Sequence, residues 1–228
     1  MTTIPASVLP AIELETGASP THAILWMHGL GADGNDFVPI VDELTLPPSP
    51  HIRFVFPHAP MRPVSINGGS VMRAWHDYDL ATSTSSFCEN MVSLRASQQA
   101  IDALIVHEGR RGIKPANTVL AGFSQGGALA LQTGLRYPEK LAGIMALSCY
   151  LPASHTLAAE AHQANSNASI FMAHGETDNV IPMTLALASK RQLLESGYRV
   201  EWHKYPMAHA VCREEIAAIS EWLKRVLI

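Results

Sequence analysis

No apolar run in this chain is long enough to cross a bilayer as a helix, which excludes a transmembrane segment. The first residues, Met1 to Pro5, show neither a basic stretch nor an apolar core, so no signal peptide is read there. Cysteine is scarce. Cys88, Cys149 and Cys212 are odd in number and widely spaced, which fits free thiols in a reducing cytoplasm and excludes a disulfide or zinc framework. Positive charge is not in excess: 16 basic residues face 20 acidic ones, a net charge of −4, with no run of one sign. That argues against nucleic acid and against an electrostatic membrane anchor. The 11 histidines include no pair at zinc-ligand spacing on one expected helix face. Dinucleotide and phosphate-loop glycine fingerprints are missing, and Asp33 to Asp36 lacks the spaced ligands of a calcium loop. Neither a metal nor an organic cofactor is expected. No internal repeat or low-complexity tract is found.

What the chain has is 228 residues, 47% of them apolar, enough for one domain over 1–228 with a large core. Short apolar runs alternate with helical spacing. Strands are expected at 23–27, 52–56, 118–121, 144–147, 170–173 and 198–205. Helices are expected from about 35 to 44, 89 to 107, 125 to 135 and 182 to 195, and from 212 to the end, with a short one near 155–162. The last helix carries Glu214 and Glu215 in its first turn and Lys224 and Arg225 in its last, favourable for its dipole. This alternation predicts a doubly wound, mostly parallel α/β sheet. Residues 57–88 fit no period. Their apolar and aromatic content argues for order, and a long loop covering the site and shaping its pocket is expected.

In such sheets the site forms from loops at the carboxyl ends of strands. One of those loops reads V-L-A-G-F-S-Q-G-G over 119–127. This G-x-S-x-G pattern is a sharp strand-to-helix turn that lifts Ser124 out with its hydroxyl exposed. Chance alone gives three such fixed positions about once in 3,000 windows, so context decides. A serine hydroxyl needs a base, and the base needs a carboxylate to orient it. His209 lies in the loop between the last strand and the last helix, free to lean over Ser124. Asp178 is the only aspartate after Ser124 and falls in a post-strand loop, with Glu176 as its competitor. His174 precedes it and is read as shaping that loop. His203 falls inside a strand and reads as a packing or surface residue. Two oxyanion donors are expected, the N–H of Gln125 and that of Leu30 in the glycine-rich loop at 28–31. Trp75, His76 and Val180 are candidate substrate contacts.

Five segments in order, M-H-G-L-G-A-D-G-N-D-F (27–37), R-A-W-H-D (73–77), G-F-S-Q-G-G-A (122–128), H-G-E-T-D-N-V-I-P (174–182) and H-A-V-C-R-E-E (209–215), span the chain from about residue 23 to its end. They resemble the phospholipase/carboxylesterase and acyl-protein thioesterase family of α/β-hydrolases. The resemblance implies a serine hydrolase with Ser124 as nucleophile, Asp178 as acid, His209 as base, and Leu30 and Gln125 as oxyanion donors. Its substrate would be a small-molecule or lipid acyl ester. Such proteins are often dimers, which leaves a homodimer open. Two departures stand out: His76 where an aromatic residue is usual, and Ala210 where serine is. The expected function is a cytoplasmic carboxylic-ester hydrolase for small to medium acyl groups. Thioester, lysophospholipid or lactone cleavage on the same triad is the alternative, and a non-catalytic binding protein of the same fold is a remote one. A histidine base further predicts that activity falls as the pH drops to about 6.5, where imidazoles take up a proton.

Overall fold

A computed structural model describes residues 8–79 and 88–227. In chain order, β1 (Ala11–Glu15) and β2 (His22–Met27) precede the single turn α1 (Ile40–Glu43). Next come β3 (Ile52–Pro57), the pair β4 (Met61–Val64) and β5 (Ser70–Arg73), and the long α2 (Met91–Arg110). Then β6 (Thr118–Phe123) runs into α3 (Gln125–Arg136), and β7 (Gly143–Leu147) is followed by α4 (Leu157–Glu160). The chain ends with β8 (Ser169–Gly175), α5 (Met183–Glu195), β9 (Arg199–Tyr205) and α6 (Arg213–Leu227). Among the described residues, no helix is long and apolar enough to cross a membrane.

Seven strands form one sheet in the order β1-β3-β2-β6-β7-β8-β9. All neighbours are parallel except β1 on β3. The inner strands are apolar runs because helices cover both their faces. In β2, Leu25 and Met27 face a core built with α2 and α3, where Leu94, Ile101, Leu129 and Leu135 lie. Ile24 and Trp26 face the opposite core, where α1 and α6 supply Ile40, Ile219, Trp222 and Leu223. Burying each such side chain stabilises the fold by roughly 1.5–3 kcal/mol.

The chain order reverses between β2 and β6: β3 lies on one side of this pair and β7 on the other. This is a topological switch point, where the loops leaving two adjacent strands part and open a crevice. The register pairs Met27 with Gly122, so both strands end at the same level. The loop after β2 carries His28 to Gly31, and the loop after β6 carries Ser124.

Several details differ from expectation. β1 is an additional strand. It sits at the sheet edge with only partial burial, so it has no apolar run to reveal it. Residues 57–88 are not one long loop. They contain the antiparallel hairpin β4–β5, which turns through a 3-10 turn at Ser65–Asn67 and then Gly68 and Gly69 at positive φ. The part at 80–87 lies outside the described residues. The helix expected from about residue 35 is mostly turns, with α1 alone helical. Finally, β8 runs two residues beyond expectation and takes in His174 and Gly175.

Candidate active site

Ser124 stands between β6 and α3 with φ 55° and ψ −121°, a conformation non-glycine residues avoid. Its neighbours hold it there. Its N–H donates to the Leu147 carbonyl at 2.8 Å, and its own carbonyl accepts from the Ala128 N–H at 3.0 Å. Both flanking glycines are needed for the bend. A Cβ on Gly122 would collide with the Gly126 carbonyl, and one on Gly126 would collide with the Met27 carbonyl at the end of β2.

Asp178 follows β8 and is buried. Its Oδ1 accepts from the N–H groups of Val180 and Ile181, both at 2.9 Å. Its Oδ2 accepts from His209 Nδ1 at 2.7 Å. His209 comes from the loop between β9 and α6. That loop is stitched to the Asp178 loop by Glu176 N–H to Tyr205 O at 2.8 Å and Thr177 N–H to Met207 O at 3.1 Å. The histidine ring lies 4.7 Å, centroid to centroid, from the ring of Phe123, the residue before Ser124. Glu176, the competing acid, instead pairs with Lys204 on the exposed side. Among the described residues, then, Asp178 is the carboxylate joined to His209.

The loop after β2 approaches from the other side. A Cβ on Gly29 would lie 3.5 Å from the Ser124 Cβ. Among the described residues, no acceptor takes the Leu30 N–H, and the Gln125 N–H opens α3, where helix geometry leaves it without an intrahelical partner. Two donors without a backbone acceptor thus lie in the two loops that meet at Ser124. His28 fixes the loop. Its Nδ1–H donates to the Gly29 carbonyl at 2.7 Å, and its Nε2 accepts from the Ala59 N–H at 3.1 Å, which selects the neutral tautomer. Burial holds its pKa below the ordinary histidine value, in agreement.

Sequence reading missed the side chain of Gln125. Its oxygen accepts from the Trp75 N–H at 2.7 Å, while its nitrogen donates to the His76 carbonyl at 2.8 Å and to the Tyr78 hydroxyl at 3.3 Å. Trp75 is also tied by Nε1–H to the His28 carbonyl at 2.9 Å, and its own carbonyl accepts from Ser97 Oγ. The structure places neither Trp75 nor His76 at the surface; both are fully buried. The His76 ring meets Tyr78 edge-on at 5.0 Å, and burial pushes its pKa down to about 3. Val180 is half exposed at the rim beside Asp178. Past Tyr78, which bonds Tyr150, lies a cavity of about 460 Å³ walled by Glu89, Met91, Tyr150, Leu151 and Leu185. Ser124 and His209 lie outside its wall.

Residues 10–227 match the model of the phospholipase/carboxylesterase family. An acyl-protein thioesterase 1 of Mycosarcoma maydis is 34% identical over 230 residues, covering 95% of both chains. An Oryza sativa subsp. japonica protein named "Probable carboxylesterase" is 33% identical, covering 97% of this chain and 84% of that one. The crystal structure of Arabidopsis thaliana SOBER1 superposes with a TM-score of 0.84 at 30% identity, covering 91% of this chain and 99% of that one.

Proposed function

This chain belongs to the phospholipase/carboxylesterase family of α/β-hydrolases, and we propose that it cleaves small to medium acyl esters through an acyl-enzyme on Ser124. His209 takes the Ser124 proton as the oxygen attacks the acyl carbon. The N–H groups of Leu30 and Gln125 receive the developing oxyanion. His209 then hands its proton to the leaving alcohol. Water, activated by the same base, releases the acid and restores Ser124. The observation that carries this reading is the 2.7 Å bond from His209 Nδ1 to Asp178, with the ring 4.7 Å from that of Phe123, the residue before Ser124. That bond leaves Nε2 as the nitrogen able to accept a proton. Cys88, Cys149 and Cys212 are free, which supports a reducing cytoplasm as the compartment.

A thioester or a lysophospholipid is the second reading. The relative named acyl-protein thioesterase 1 and the phospholipase members of the family support it. Hydrolysis of a p-nitrophenyl ester series from acetate to palmitate separates the two, with Ser124→Ala as control. Fast acetate turnover, lost in the variant, supports the small-ester reading. Preference for the longest chains moves it to lipid or acyl-protein substrates. Wild-type turnover in Ser124→Ala would remove the serine from the mechanism.

A further inference from the structure

Asp178 stands between two histidines. His209 Nδ1 lies 2.7 Å from its Oδ2, and His174 Nε2 lies 3.5 Å from the same oxygen. His174 Nε2 is also 2.8 Å from the carbonyl of Ile181. A carbonyl oxygen can only accept, so Nε2 carries the proton. The ring is fully buried, and among the described residues its Nδ1 has no hydrogen-bond partner. Burial also holds its pKa below the ordinary value. His174 is therefore a neutral imidazole with its proton on Nε2.

That proton closes the loop after β8, because Ile181 is held at both ends: its N–H by Asp178 Oδ1 and its carbonyl by His174. With its N–H spent on Ile181, His174 Nε2 stands 3.5 Å from Asp178 Oδ2 without a hydrogen bond to it. The ring itself is anchored. It belongs to β8, whose register sets His174 opposite Lys204, and it lies parallel to Trp202 with centroids 6.4 Å apart.

We propose that His174 is a positioning residue for the reaction: its Nε2–H fixes the Asp178 loop through Ile181, which holds Oδ2 in place to accept the hydrogen bond of His209 Nδ1–H. This rests on the reading of Asp178 and His209 as acid and base. His174 touches no reacting atom and acts only through Asp178.

The test compares His174→Met, which keeps length and loses the donor, with His174→Gln, whose amide N–H reaches the Nε2 position. Both are assayed on p-nitrophenyl acetate, alone and in an Asp178→Asn background. Misplacing a catalytic group by about 1 Å costs about 100-fold. His174→Met should therefore lower kcat by about that factor with KM unchanged within about twofold, and His174→Gln should recover to within about threefold of wild type. In the Asp178→Asn background, His174→Met should add nothing, because the coupling runs through that carboxylate. Wild-type kcat in His174→Met, a folded His174→Gln as slow as the methionine variant, or an undiminished effect without Asp178 would each overturn the proposal. Should His174→Met fail to fold, the nitrogen NMR spectrum of the wild type decides. A neutral ring protonated on Nε2 is required, and a ring protonated on Nδ1 or on both nitrogens refutes it. Full activity in Ser124→Ala would sink the hydrolase reading itself. An inactive Ser124→Ala beside a normal His174→Met sinks only the role of His174.

Discussion

Replacing Asp178 by asparagine changes one atom and should disable the site while leaving the fold in place. The carboxylate is surrounded by donors. Oδ1 takes two backbone N–H groups at 2.9 Å, and Oδ2 takes His209 Nδ1–H at 2.7 Å. An amide has one oxygen to offer. If its NH₂ sits at the Oδ1 position, two backbone donors meet a donor, each lost bond to a charged acceptor costing about 1.5–3 kcal/mol. If it sits at the Oδ2 position, only His209 loses its acceptor, so this orientation wins. His209 must then present a lone pair on Nδ1 and carry its proton on Nε2. A protonated Nε2 cannot accept from Ser124. The same change in other Ser-His-Asp triads costs about 10⁴ in kcat, equivalent to about 5.5 kcal/mol of transition-state stabilisation. The backbone bonds survive, so stability should fall by only about 1–2 kcal/mol. For a chain of this size that is a loss of roughly 2–8 °C in Tm. Steady-state kinetics on p-nitrophenyl acetate, with a thermal melt of the same sample, test this. A kcat reduced less than about tenfold in a folded variant would refute the role given to Asp178.

Two further predictions concern stability. Gly126→Ala drives a methyl group into the Met27 carbonyl, and backbone cannot move aside as a side chain can. The loss should be about 3 kcal/mol, roughly 6–12 °C in Tm, whereas Gly109→Ala, open on all sides within α2, should be neutral or slightly stabilising; equal melting temperatures for the two variants would contradict the packing described. His76 folds with its pKa at about 3, so as the pH falls below about 6.5 the unfolded chain takes up a proton that the folded one refuses. Stability from this source is present above that value and about 2 kcal/mol is gone by pH 5. His76→Phe keeps the edge-on contact with Tyr78 and should lose less stability between pH 7.5 and 5 in urea melts, a claim undone if both proteins lose the same amount.

Much of this was legible in the chain because burial on two faces leaves a plain trace. The runs that became β2, β3, β6, β7 and β8 are apolar along most of their length, and their helices cover them from both sides. The serine turn was legible for a different reason: only glycine fits at positions 122 and 126, so geometry is written directly in composition. What escaped notice was half-buried or non-local. β1 hides only part of each residue at the sheet edge. The β4–β5 hairpin has strands of four residues with Pro63 inside one, too short to show a period. The Gln125 side chain was unreadable because its partners lie about 50 positions earlier in the chain. The burial of Trp75 and His76 was unreadable for the same reason, since the glutamine and Ser97 that hold them lie 22 to 50 positions later in the chain.

That glutamine has a consequence for how the protein can change over time. Its side chain grips residues 75 to 78, while its own peptide N–H sits immediately after the strained serine. A substitution at residues 75 to 78 therefore pulls on the same residue whose N–H follows Ser124. Packing of this loop and geometry of the elbow are not separately adjustable along this stretch. A lineage altering one must retune the other in the same step, and laboratory evolution confined to the loop should meet compensating changes at the elbow.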